Sequence, residues 1–144
     1  MDLVAALKSL LGDAVTMKFT AHGFHWNVEG QDFAQYHELF SNIYEDVDSS
    51  IDPIAENIRK LGAYAPFTLS RLSALRSISD VDPGTPTEQP MAAALLKMND
   101  AVLKNIMTAF DLAVKENQQS IANFLAERQD MHMKWKWQLT ASTK

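Results

Sequence analysis

Two histidines and two acids, placed on helical spacings, carry the most chemistry in this 144-residue chain. His25 lies near the end of a first run of periodic apolar residues, and His37 lies one turn into a second. Asp52 and Glu56, four residues apart, project from one face of that second run. Imidazole nitrogen plus carboxylate oxygen suits iron, zinc or manganese, and the donor types alone do not choose among them. Cysteine is absent. That excludes a disulfide framework, thiol catalysis, iron–sulfur ligation and Cys-type zinc sites.

These four residues cannot meet within one chain. His37 and Asp52 are fifteen residues apart on one helix, which is roughly 22 Å at about 1.5 Å per residue. An antiparallel pairing of that helix with a second copy of itself removes the difficulty, because His37 then comes level with the partner's Asp52. Two-fold symmetry repeats the contact twice, so a metal site of this composition lies between subunits. Simpler readings stand beside this one. A histidine on an amphipathic helix is often a packed or surface residue, and Asp52-Pro53 resembles an N-cap followed by N1, where a broken helix restarts.

The elements that position the four follow from periodicity. Leu3, Leu7, Leu10, Leu11, Ala14, Val15 and Phe19 predict a helix beginning at Asp2, running to Asn27 and stopping near Gly30. Phe33, Tyr36, Phe40, Ile43, Tyr44, Val47, Ile51, Ile54, Ile58 and Leu61 predict a second, ended by Gly62. Pro53 sits inside it. Pro66, Pro83, Gly84, Pro86 and Pro90 mark a long connection with room for a short helix over Leu69–Leu75. Met91–Glu116 and Ser120–Leu139 complete the set, with a break near Asn117. No alternating strand pattern is present. The expected fold is all-α: a four-helix bundle with a short extra helix in its long central crossover, within a single domain over 1–144.

Composition narrows the class. A net charge of −5 removes a globally basic nucleic-acid binder as the default. No segment reaches the roughly 18 consecutive apolar residues of a membrane span. Asp2 and Lys8 break the layout of a signal peptide. A cytoplasmic, membrane-free protein is the expectation.

The block His25-Trp26-Asn27-Val28-Glu29-Gly30 resembles the signature of the Dps family of mini-ferritins. So do Phe33, His37, Phe40 and Tyr44 after it, and the stretch from Asp52 to Leu61-Gly62. Ala63-Tyr64-Ala65-Pro66 and the closing Asp130-Met131-His132-Met133-Lys134-Trp135-Lys136-Trp137 are similar to family members as well. The resemblance implies a ferritin-like bundle assembled as a hollow homo-dodecamer. It also implies ferroxidase activity, in which iron(II) is oxidised, preferentially by hydrogen peroxide, at sites shared across two-fold dimers. The ferric mineral is stored inside, and removal of both reactants protects against oxidative damage. By this resemblance His25 and His37 of one subunit and Asp52 and Glu56 of the other are the metal ligands, with zinc or manganese as substitutes for iron. Trp26 matches a tryptophan beside the iron site that could donate an electron; packing as a core aromatic is its other reading.

One ligand departs from the family pattern. Four residues after the second histidine, where an aspartate is usual, stands Ser41. A neutral hydroxyl is a poor iron ligand, and the site loses a negative charge. The register that sets His37 level with the partner's Asp52 also sets Ser41 level with the partner's Asp48. Asp48 lies on the stripe Glu45, Asp48, Asp52, Glu56 and is expected to stand in across the interface. If it does not, the chain is a shell or metal-binding protein with a degraded site. A flexible lysine-rich tail, the feature with which family members bind DNA, is not evident. Direct DNA binding is therefore not expected. Asp111, Glu116, Glu127 and Asp130 are candidates for an acidic pore, with ordinary surface positions as the alternative. His22 and His132 are expected to be structural or exposed.

Overall fold

A computed structural model describes residues 1–144, as five helices: α1 (Leu3–Asn27), α2 (Phe33–Lys60), α3 (Leu69–Leu75), α4 (Glu88–Lys115) and α5 (Gln119–Ser142). α1 packs along α2 and α4 along α5. α1 also lies against α4 and carries α3 across its outer side. The short α1–α2 and α4–α5 connections make each pair an antiparallel hairpin, and the long crossover joins the two pairs. Leu3, Leu7, Leu10, Ala14, Met17, Ala21 and Phe24 bury one stripe of α1, and Tyr36, Phe40, Ile43, Val47, Ile54 and Ile58 bury one stripe of α2. The three-and-four spacing in the sequence is thus the inward face of each helix.

The helix ends differ from their sequence expectations by a few residues, each for a visible reason. α1 starts at Leu3, since Asp2 is its N-cap and accepts from the Ala5 amide at 2.8 Å. Glu116 accepts from the Leu3 amide at 2.9 Å, so this acid caps the start of α1. α4 begins three residues before Met91 because Pro90 falls in its first turn, where no backbone donor is needed. Asn117 adopts a left-handed φ of 58° between α4 and α5, which is the expected break.

α2 is continuous through Pro53, which overturns the reading of Asp52-Pro53 as the start of a new helix. Proline removes the donor that would serve the Ser49 carbonyl. One turn earlier the Ser49 and Ser50 hydroxyls donate to the carbonyls of Asp46 and Val47 at 2.5 and 2.6 Å. Continuity keeps Asp48, Asp52 and Glu56 on one stripe in register with His37.

Two contacts set the entry to α2. Gly30 has φ 146°, and a Cβ there would strike the Glu88 side chain. That side chain accepts from the Asp32 amide at 3.1 Å. Val28 is buried, and the Glu29 amide donates to the Pro86 carbonyl at 2.8 Å. The crossover therefore clamps the turn that brings α2 back along α1.

Asp13, fully buried on α1, ties the crossover to both hairpins. It accepts from the Ser77 amide at 2.7 Å, the Ser77 hydroxyl at 2.6 Å, the Ile78 amide at 3.2 Å and the Asn105 amide nitrogen at 2.8 Å. Asp13→Ala leaves the Ser77 and Ile78 donors without an acceptor. It is expected to cost about 3 kcal/mol or more in urea unfolding, and an unchanged midpoint would contradict the pinning role.

Candidate metal centre

The α1–α2 turn brings His25 and His37 face to face. Their rings stack with centroids 3.8 Å apart and 15° between planes. His25 Nδ1 bonds the His37 carbonyl at 2.7 Å, and His37 Nδ1 bonds the His25 carbonyl at 2.7 Å. A carbonyl only accepts, so each Nδ1 carries a proton toward it, and Nε2 is the ring nitrogen left for a metal. Anchoring one ring nitrogen to fix tautomer and orientation while the other stays free is how metal-binding histidines are held. Phe33 stacks on the far side of His37 at 4.9 Å.

The acids stand elsewhere. Asp48, Asp52 and Glu56 are exposed on α2, and none of them makes an ion pair or hydrogen bond within the chain. No group of three His, Asp or Glu residues in the chain is arranged to hold a metal ion. This agrees with the separation computed along the helix: one subunit offers two imidazoles at one place and unpaired carboxylates at another. Ser41 donates to Glu45 at 3.4 Å.

Trp26 is 56% exposed, so it is not a core aromatic. It meets Phe19 edge-on at 6.3 Å and lies 4.5 Å from His22. His22, expected to be merely structural or exposed, belongs to this ring cluster. It stacks on Tyr44 at 4.0 Å and 12°, and Tyr44 lies 5.5 Å from His25. Burial first, then the charges of Lys18 and His25, depress the His22 pKa below its ordinary value, while Asp48 pulls the other way. The three-residue offset from His25 places His22 on the same face of α1, and that spacing was the available signal.

His132 is fully buried, not exposed. Its Nδ1 bonds the Asn99 side-chain oxygen at 2.8 Å, and its Nε2 takes a bond from Arg128 at 3.1 Å. Arg128 grips Asp46 with two bonds of 2.9 Å, and Trp135 donates to the same carboxylate at 2.8 Å. Burial, then the Arg128 charge, depress the His132 pKa to about 3, against a weaker opposite pull from Asp46. Both of its ring nitrogens are committed, which removes it from the metal donors.

Residues 4–143 match the family model described as a ferritin-like domain. The chain belongs to the ferritin-like family. Dps proteins are among those it resembles. It is 36% identical to the DNA protection during starvation protein of Helicobacter pylori over 80 residues, covering 56% of each chain. A Dps protein from Bacillus brevis superposes with a TM-score of 0.93 at 24% identity, covering 99% of this chain and 95% of that one. The Dps protein of Vibrio cholerae O1, described as a member of a broad superfamily of ferritin-like diiron-carboxylate proteins, gives 0.92 at 24%, covering 99% and 89%. Ferritin-like membership accounts for the paired hairpins and the crossover. No helix is long and apolar enough to cross a membrane.

Proposed function

We propose that this chain is the subunit of a mini-ferritin that oxidises Fe(II) with hydrogen peroxide and stores the ferric product in a hollow shell of twelve copies. The site lies between subunits, with His25 and His37 of one and Asp52 and Glu56 of the other. The observation that carries this reading is the His25–His37 pair. Each Nδ1 is spent on a backbone carbonyl and each Nε2 is free, at the end of a hairpin whose exposed stripe offers carboxylates without internal partners. Ferritin-like membership and the likeness to Dps proteins support iron storage in stress protection. The shell is cytoplasmic in this reading, and any protection of DNA is chemical.

Asp48 of the partner subunit takes the place of the missing carboxylate beside Ser41, which makes the second iron position weak rather than absent. A second reading draws on Ser41 itself, whose hydroxyl is turned to Glu45. In it the shell binds one metal, iron or zinc, with little turnover.

An anaerobic Fe(II) titration followed by a peroxide pulse separates the two. One tight and one weak iron per site, with fast appearance of ferric product, is the expected result, and Asp48→Asn is expected to remove the weak iron. One iron or none, with no acceleration over buffer, would favour the degraded site. An Asp48→Asn assembly identical to wild type would end the substitution argument.

A further inference from the structure

The most exposed aromatic side chain of the protein is Phe67, at 90%, and Tyr64 just before it also stands in solvent. The segment that carries them is held firmly. Arg59 lies over the Tyr64 ring at 4.5 Å and donates to the Ala63 carbonyl at 3.1 Å. Pro66 stiffens the backbone before Phe67. Thr68, after it, caps α3 by accepting from the Arg71 amide at 3.2 Å. An apolar knob is thus kept in water, where the chain itself gains nothing from it. Lys8 and Arg71 border the knob, and Lys60 is exposed at the end of α2, so its surroundings are cationic.

A socket of opposite character opens at the other end of α1. Between α1 and crossover residues 80–86 lies a cavity of about 620 Å³. Phe19, Phe24 and Met91 wall it, and no lysine or arginine lines it. Glu29 and Asp82 are exposed beside it, and neither makes an ion pair. Gly23 leaves one wall open, with no atom within 4 Å of where its Cβ would be.

We propose that Phe67, with Tyr64 beside it, plugs this cavity in the partner subunit, and that the basic border of the knob faces the partner's Glu29 and the partner's Asp82. The inference rests on the reading of α2 as paired antiparallel with its own copy at the metal centre. With His37 level with the partner's Asp52, the two-fold axis passes α2 between Tyr44 and Glu45. α1 runs antiparallel beside α2, with His25 against His37 and His22 against Tyr44, so the same axis passes α1 within a turn of Lys18. Lys8 then comes level with the partner's Asn27 and the partner's Glu29, and Lys60 with the same turn. Knob and socket share a level, carry opposite charge and adjoin the α2 pairing, so the occupant is a second copy of this chain. Two-fold symmetry gives each dimer two plugs. A slip of α2 by one turn would part His37 from the partner's Asp52. Plugs far from the axis resist that slip and so hold the register that the metal centre needs.

The test follows dissociation of the full-length assembly to monomer by analytical ultracentrifugation over a range of subunit concentrations. Phe67→Ala removes the knob, and Gly23→Leu fills the socket from a side where space is free. Each is expected to raise the concentration of half-dissociation by about 30-fold, the effect of losing an anchoring aromatic, with helix content by circular dichroism unchanged. Arg71→Glu is expected to weaken the assembly, and adding Asp82→Lys to restore part of it. Proximity is read separately, since the chain has no cysteine. Ala65→Cys combined with Asn27→Cys is expected to give a covalent dimer with a short bis-maleimide, and neither single variant to do so. Lys8, beside the knob, and Asn27 are nineteen residues apart on α1, about 28 Å, so that bridge forms only between subunits. Phe67→Ala and Gly23→Leu assemblies as stable as wild type, or an assembled double-cysteine variant that gives no covalent dimer, would overturn the proposal. The underlying reading fails separately, if His37→Ala binds Fe(II) as wild type does in an anaerobic titration.

Discussion

Shells assembled from a mixture of His37→Ala and Asp52→Asn subunits are expected to recover fast iron oxidation that neither variant shows alone. In an antiparallel two-fold pairing, each site takes its imidazoles from one subunit and its carboxylates from the other. A shell made wholly of either variant has every site damaged. Losing a ligand or its anchoring commonly costs about 10–100-fold in metal affinity or activity, and a loss of at least this order is expected for each. In a mixed dimer one site collects both substitutions and the other collects neither. Random assembly makes about half of the dimers mixed, so about a quarter of the sites are intact. Co-expression followed by stopped-flow measurement of ferric product at matched protein concentration reads this directly. Recovery near that fraction supports a shared site. A mixture no faster than its parents would mean that imidazoles and carboxylates do not meet across an interface.

Arg128→Met is expected to lower stability by about 3–5 kcal/mol, the range for removing one partner of a buried ion pair. The substitution leaves Asp46 with a bond from Trp135 alone and takes the donor from His132 Nε2. Adding Asp46→Leu is expected to restore part of the loss, because the stranded charge causes most of it. The same cluster makes the wild-type chain acid-sensitive. His132 is depressed to about 3 from an ordinary 6.5, so the unfolded chain binds a proton between these values that the folded chain does not. The stability from this residue is therefore complete above pH 6.5. It is lost as pH falls toward 3, by at most about 5 kcal/mol. Burial alone would raise Asp46, but the Arg128 bond and charge and the Trp135 bond hold it below its ordinary 3.8. Its own contribution is lost below that value. His132→Gln can still donate to Asn99 and accept from Arg128. Urea midpoints measured from pH 7 to pH 4 should fall less steeply in this variant, and parallel curves would remove His132 as the cause.

Much of the architecture was legible because a helix that must bury one stripe repeats apolar residues at a regular interval. α1 ends at Asn27 and α3 spans Leu69–Leu75, as expected from periodicity and from the glycines and prolines around them. The boundaries that moved did so through side chains whose partners are remote in sequence. Glu116 reaches the first turn of α1, more than a hundred residues away, and no local pattern announces such a contact. Pro53 was ambiguous for a related reason. Locally it marks a helix start as well as an interruption, and the packing of Val47, Ile54 and Ile58 into one core decides for continuity.

Residue type and spacing by themselves determined which groups could form a centre, and that one chain cannot bring all of them to one point. That conclusion needs only the rise of a helix. Tertiary structure decided how the imidazoles are presented. The crossed Nδ1 bonds between His25 and His37 exist only because the turn at Gly30, held by Glu88 and Pro86, folds α2 back against α1 at the right level. It also decided the company of Trp26. His22 and Tyr44 are twenty-two residues apart and become ring neighbours only when the two helices pack. His132 carries no local mark that separates an exposed imidazole from one buried between Arg128 and Asn99. Burial depends on which helix faces meet, and that is set by the whole bundle at once.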